Sequence, residues 1–371
     1  MKYIALLLVL FVPSVLLAED CRKAAESVAE GVALADGTPE EASHYQNAIS
    51  HCPSMANAYY NLALNFLRRQ KFDDAVEQFL KATEKKKDEL YFIGLGNAYV
   101  YLSKLDQAKS AYDEAIAINP KSVFAFQGLS VVYEAKGNLA EAENVLRKAI
   151  AVKDTDPELH YNLGVVLLLA HKYEQSIESL KAATGLKADL GKAFLYLGKA
   201  YRKLDQYDEA EESLKKAQLL APKDPDVFVA LGNIYDAQGN LDKAAAVMRE
   251  GLAIDKTNAA LGVNYAIVLA KQKKLPESIA NLELIVKSAP TNAAAFSALG
   301  WVYIQQEAYD KARIAIAKAL ELDANNAFAH NNLGVLSEIS GNKEQAKQSF
   351  EKAVSLDPEL EEAQENLKRL S

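Results

Sequence analysis

Set in rows of thirty-four residues, the chain falls into columns of like residues, and this period constrains the fold more than any other feature. One column reads Leu62, Leu95, Leu129, Leu163, Leu197, Leu231, Tyr265, Leu299 and Leu333, every step 34 residues except the first, which is 33. The next column is small: Ala63, Gly96, Ser130, Gly164, Gly198, Gly232, Ala266, Gly300 and Gly334. Three residues on, a bulky column runs from Phe66 and Tyr99 to Tyr303 and is broken by Ser337. Later in each row come a small residue (Ala75 to Ala346), a large one (Phe79 to Phe350) and a second small one (Ala82 to Ala353). Steps of three and four put such residues on single helical faces, so each row holds two helices. The joints between them carry turn residues, as in Lys136-Gly137-Asn138, Gln238-Gly239-Asn240 and Ser340-Gly341-Asn342. Several rows close on proline, at Pro120, Pro222, Pro290 and Pro358. Small residues in register mean close approach of helix backbones. One helix pair cannot bury its apolar face alone, so neighbours must stack.

These columns resemble the tetratricopeptide repeat, whose hallmark is Leu-Gly, an aromatic three residues on, then spaced Ala, aromatic, Ala and Pro. The row from residue 191 shows the match most fully, with Phe194, Leu197, Gly198, Tyr201, Ala210, Leu214, Ala217 and Pro222 in register. Nine rows start at 56, 89, 123, 157, 191, 225, 259, 293 and 327 and fill residues 56–358. The resemblance implies an all-α, right-handed superhelical solenoid of antiparallel helix pairs. Its inner surface would be lined by the first helix of each pair, and its ligands would be extended peptides or helices of partner proteins. The row from 259 departs most, with Tyr265, Ala266, Leu269 and Ile285, and less regular packing is expected there. Residues 19–55 read as a degenerate extra pair, with Tyr45, Ala48 and Pro53 in register but Glu41 where a small residue is expected. At the other end, Pro358 to Leu370 reads as a capping helix with a single apolar stripe, Leu360, Ala363, Leu367 and Leu370. Residues 359–371 therefore form the cap.

Lys2 precedes an uncharged run from Tyr3 to Ala18, which Glu19 and Asp20 end. A basic start, an apolar core and a small residue before a polar stretch describe a secretory signal over residues 1–18, although Leu16 is large for its place. An uncleaved anchor is the alternative, and only then is a membrane a partner. Asp20 before Cys21 argues against lipidation. Export, into a bacterial periplasm, is the expectation.

Cys21 and Cys52 are the only cysteines, and an oxidising compartment favours their pairing. Helices over 22–35 and 39–51, joined by Asp36-Gly37-Thr38-Pro39, would bring them together. A bridge closing such a loop contributes about 3–4 kcal/mol in the chain-entropy model. A metal site with His44 and His51 is the competing assignment, without a recognisable ligand spacing.

The formal net charge of -8 and a pI near 5.4 leave no electrostatic footprint for nucleic acid. No histidine falls in a metal or nucleophile motif, and packing columns occupy every row. No enzyme, cofactor, metal or small-molecule substrate is expected. The partner is a protein or peptide.

Candidate contacts lie between the packing columns. Asn61, Asn162, Asn264 and Asn332 stand just before the leucine column, and Asn97 and Asn233 two after it. An amide offers donor and acceptor to a peptide backbone, and the pattern looks like the asparagine ladder of some long family members. Local preference for asparagine explains the same pattern. Lys192, Lys199, Arg202 and Lys203 form a basic edge suited to an acidic segment, or simply a solvated face. The carboxylate clamp of chaperone-binding members is not reproduced. Tyr60, Tyr161 and Trp301 are aromatic candidates. Two readings follow: an exported adaptor that binds a peptide or partner in its groove, or a structural scaffold of a cell-envelope assembly such as polysaccharide export or outer-membrane machinery.

Overall fold

The computed structural model of the chain describes residues 14–370. Among them there is no strand, and twenty-one helices follow one another. The first pair is α1 (Ser14–Leu34) and α2 (Pro39–His51). The nine rows then give α3 (Ala56–Arg68) with α4 (Phe72–Lys85), α5 (Glu89–Tyr101) with α6 (Leu105–Ile118), and α7 (Val123–Ala135) with α8 (Leu139–Val152). They continue as α9 (Pro157–Leu169) with α10 (Tyr173–Leu186), α11 (Gly191–Lys203) with α12 (Tyr207–Leu220), and α13 (Pro225–Ala237) with α14 (Leu241–Ile254). The last rows are α15 (Ala259–Lys271) with α16 (Leu275–Ser288), α17 (Ala293–Gln305) with α18 (Tyr309–Leu322), and α19 (Ala327–Ile339) with α20 (Lys343–Leu356). The cap, α21 (Glu361–Leu370), starts three residues later than its sequence pattern suggests, because Asp357 turns the chain by accepting from the Glu359 N–H at 3.0 Å.

Local chemistry explains where the first helices begin. Asp88, Ser122, Asp156, Asp224, Asn258, Asn292 and Asn326 each stand one residue before a first helix and accept from an N–H of its opening turn. The joints are equally regular. Gln70, Ser103, Gly137, His171, Asp205, Gly239, Lys273, Glu307 and Gly341 all adopt left-handed backbone, with φ between 56° and 81°. The N–H of the following residue reaches back to close the helix end, as Lys71 N to Phe66 O at 2.9 Å and Asn138 N to Tyr133 O at 2.8 Å. Only three of these joint residues are glycine, so the sequence shows the turn in three rows and conceals it in six.

The packing divides the chain into two compact units, Met1–Leu186 and Lys187–Ser371. In each, the two helices of a row pack as a pair and each pair leans on the next. First helices of successive rows also touch (α1 to α3, α5 and α7; α11 through α13, α15, α17 and α19 to α21), while second helices show no comparable packing with one another. First helices therefore form the inner layer of each unit. The small column is what lets each pair close. A Cβ on Gly198 would stand 2.5 Å from Leu214 Cγ, and one on Gly334 would stand 2.4 Å from the Phe350 ring. Where serine replaces alanine its hydroxyl is satisfied across the pair: Ser176 Oγ donates to Gly164 O and Ser278 Oγ to Ala266 O, both at 2.6 Å.

The row from 259 closes by exchange of sizes rather than by loose packing. Ile285 is bulky where alanine is usual, and Gly262 opposite is small where an aromatic is usual; a Cβ there would meet Ile285 Cδ1 at 2.8 Å. The preceding row shows the inverse, with Gly251 making room for Phe228 and Leu261.

Residues 1–13 of the proposed signal lie outside the described residues. Its remainder opens α1, which begins eight residues before the expected helix start at 22. No described helix is long and apolar enough to cross a membrane. Cys21 and Cys52 are joined by a disulfide with Cα atoms 4.9 Å apart. His44 instead lies 3.0 Å from Glu30. Glu41, the apparent misfit, is fully buried and organises the start of the first unit. It accepts from Gly37 N at 2.7 Å, Tyr45 Oη at 3.0 Å, Asn65 Nδ2 at 3.0 Å and the Arg68 guanidinium. Burial pushes its pKa up, but these four donors outweigh burial and hold it below the usual carboxylate value.

Candidate functional site

In the first unit the inner layer encloses a hollow of about 660 Å³. Four first helices line it, with Leu67 and Arg68 from α3, Asn97 and Tyr101 from α5, Phe124, Gln127 and Val131 from α7, and Asn162 from α9. Its depth comes from Gly128 in the wall, where a Cβ would stand 2.4 Å from the Tyr112 ring. The buried Tyr112 fills that notch from α6, and its hydroxyl donates to Asn97 Oδ1 at 2.7 Å. Burial raises the Tyr112 pKa, so it remains a neutral donor.

The lining is open to solvent and apolar at once. Tyr101 is 64% exposed, Phe124 66% and Val131 48%. Phe72 stacks on Tyr101 at 4.8 Å and steadies it. The side-chain amides of Gln127 and Asn162, and the amide NH2 of Asn97, have no hydrogen-bond partner among the described residues. Arg68 is the one charged lining residue, and Glu41 already neutralises it. The surface thus offers aromatic area and uncharged amides, which suits a peptide backbone and its apolar side chains.

The structure brings Asn97 and Asn162 of the sequence candidates into this hollow. Asn61 is half-buried on α3 and outside its lining. Tyr60 is half-buried and packs between Phe79 and Tyr91, at ring distances of 5.8 and 4.9 Å. Tyr161 is half-buried on α9.

In the second unit Asn233 and Asn264 are half-buried on α13 and α15. Asn332 is only 5% exposed, and its amide donates to Ser297 O at 3.0 Å and Ser297 Oγ at 3.3 Å, so it ties α19 to α17 instead of facing a ligand. Trp301 packs on the core formed by α15 to α19. The basic edge of α11 is largely answered by the protein itself. Lys199 stands 4.0 Å from Asp226 and over the Tyr196 ring, and Lys203 is bonded to Glu359 at 2.6 Å. Lys192 is exposed and Arg202 half-buried. Further along, Lys271 is bonded to Asp236 at 2.6 Å.

Sequence reasoning missed Tyr101, Phe124, Gln127 and Val131. One signal was present: the segments Glu89–Tyr101 and Val123–Ala135 are apolar around most of their circumference. A helix that also packs on one side has no structural need for apolar residues on the other.

Comparison with known proteins agrees with the fold. Tetratricopeptide-repeat profiles match residues 18–89, 91–122, 131–169, 195–259, 237–299, 293–326 and 327–360. A tetratricopeptide repeat protein from Parabacteroides merdae superposes with a TM-score of 0.58 at 18% identity, covering 67% of this chain and 98% of its own. The APC/C hetero-tetramer Cut9–Hcn1 gives a TM-score of 0.53 at 14% identity, with 95% and 84% covered. No curated protein matches the chain.

Proposed function

Given that the chain belongs to the tetratricopeptide-repeat family, we propose that it is a non-enzymatic adaptor whose first unit holds an uncharged, apolar peptide segment of a partner protein. One observation carries this reading: the unpaired amides of Gln127 and Asn162 and the unpaired NH2 of Asn97 share a hollow with exposed Tyr101, Phe124 and Val131. Amides hold a backbone whatever its side chains, and the aromatic walls supply the anchor on which binding energy concentrates. The disulfide between Cys21 and Cys52 fits an exported adaptor working in an oxidising compartment.

Selection of peptides from a phage-displayed random library on the intact protein, followed by fluorescence anisotropy of the selected sequences, tests the assignment. Phe124→Glu, or Asn97→Ala with Asn162→Ala, should weaken binding by roughly 30-fold, the effect of losing about 2 kcal/mol at an anchor. Helical circular dichroism should not change. Selected peptides that bind these variants as tightly as the parent would show that a scaffold uses other faces and the hollow is idle.

A further inference from the structure

In the second unit the inner layer is a run of six first helices, α11, α13, α15, α17, α19 and α21, each touching the next. The two ends of that run meet. Lys203, the last residue of α11, is bonded to Glu359, just ahead of α21, at 2.6 Å across 156 residues of sequence. In keeping with that junction, the Tyr207 pKa is raised first by its bond to Asp205 and next by burial, with a small further rise from the Glu361 carboxylate of the cap opposed by the Arg202 cation. α11 and α21 show no helix packing comparable to that of their neighbours, so side chains make the junction.

Both halves are held ready. On the cap side, Asp357 Oδ1 accepts from the Glu359 N–H at 3.0 Å, and α21 is fixed to α19 by Asn366 to Asn331 at 3.0 Å and Arg369 to Glu338 at 2.8 Å. On the other side, the Asp205 joint is tied by Tyr207 Oη at 2.6 Å. The cap thus brings Glu359 and Glu361 to the helix end that carries Arg202 and Lys203.

We infer that Lys203 and Glu359 form an ionic clasp that holds the two ends of this inner layer together, closing the second unit into a ring that opens when the pair is released. An exposed ion pair shifts a population by about two- to fivefold, enough to bias closure and weak enough to release. At 1 M salt the Debye length is about 3 Å, which screens such a pair. The proposal does not depend on the peptide reading of the first unit.

Spin labels at Gln206→Cys and Glu365→Cys, both exposed, report the separation by double electron–electron resonance on the full chain with its native disulfide. The parent should show mainly the short distance. Lys203→Glu should reduce that population about two- to fivefold, and 1 M NaCl should act in the same direction. Lys203→Glu combined with Glu359→Lys should restore the short distance, and Glu359→Gln should open the ring without introducing repulsion. Identical distance distributions in parent, Lys203→Glu and Glu359→Gln would overturn the clasp and mean that stacking alone sets the curvature. Failure of the charge swap to restore closure would overturn it equally.

Discussion

The two units are built on the same columns and both pair charges at the surface, yet among the described residues only the first also buries one. In the first, one carboxylate, Glu41, is wholly buried, and its Arg68 partner borders a hollow otherwise left apolar and uncharged. In the second, the charges stay at the surface and answer one another, as Lys199 with Asp226, Lys271 with Asp236 and Lys203 with Glu359. One template therefore carries a buried charge beside a hollow with unmet amides in one unit, and surface pairs alone among the described residues of the other. Position in the row decides packing; the residues between the columns decide what remains available for another molecule.

The largest effect should come from the buried charge. Glu41→Ala leaves Arg68 and three further donors without their acceptor, and should cost about 3 kcal/mol, the low end for a broken buried pair since Arg68 is partly solvated. Urea unfolding of the two variants, Glu41→Ala and Lys271→Ala, gives the contrast directly. The same carboxylate makes the first unit acid-sensitive. Its folded pKa lies below the ordinary value, so its stabilisation is complete above the unfolded pKa of about 4.3 and is lost as pH falls through the folded value. Glu41→Gln should therefore flatten the unfolding profile below about pH 4.3. A profile as steep as the parent's would assign the acid response elsewhere.

Next in size is the column common to both units. Gly96→Leu and Gly198→Leu each drive a side chain into the facing helix, where a Cβ alone would lie 2.6 and 2.5 Å from Tyr112 and Leu214. Each should cost about 1–3 kcal/mol by overpacking. Equal costs would confirm that the units differ only between the columns, and a much cheaper Gly198→Leu would break the comparison. A smaller effect of opposite sign is expected at the joints. Gln70→Gly and Glu307→Gly relieve a left-handed residue in each unit and should stabilise by up to about 1 kcal/mol, less what glycine adds to the freedom of the unfolded chain. Thermal unfolding would show a higher midpoint. Smallest of all, Lys271→Ala should change stability by under about 1 kcal/mol, because its pair with Asp236 is partly solvated.

Packing was legible in the sequence because it repeats at every step. Leu197, Gly198 and Tyr201 state the same contact as Leu299, Gly300 and Tyr303, and repetition separates signal from accident. The hollow was not legible in this way. Phe124, Gln127 and Val131 occupy positions that are free to differ between rows, so no column announces them. Asn97 and Asn162 could be singled out by chemistry alone, and chemistry alone also selected Asn332, whose amide turns inward to Ser297. Glu41 was visible as a break in a column, but its meaning depended on Asn65 and Arg68, 24 and 27 residues away on another helix. The six non-glycine joints were hidden because left-handed backbone there is imposed by the helix ends on either side, not by the residue that adopts it.

The reciprocal fit of Gly262 with Ile285 bears on how such arrays can be rebuilt. Repeats invite treatment as interchangeable bricks, to be shuffled, duplicated or deleted at will. Here α16 transplanted into another row would carry its isoleucine against an aromatic such as Phe194 or Phe296, and α15 transplanted alone would leave a void. The two halves of the hairpin must therefore move together, and the fit of Leu261 against Gly251 ties them in turn to the row before, although each half looks alike from row to row.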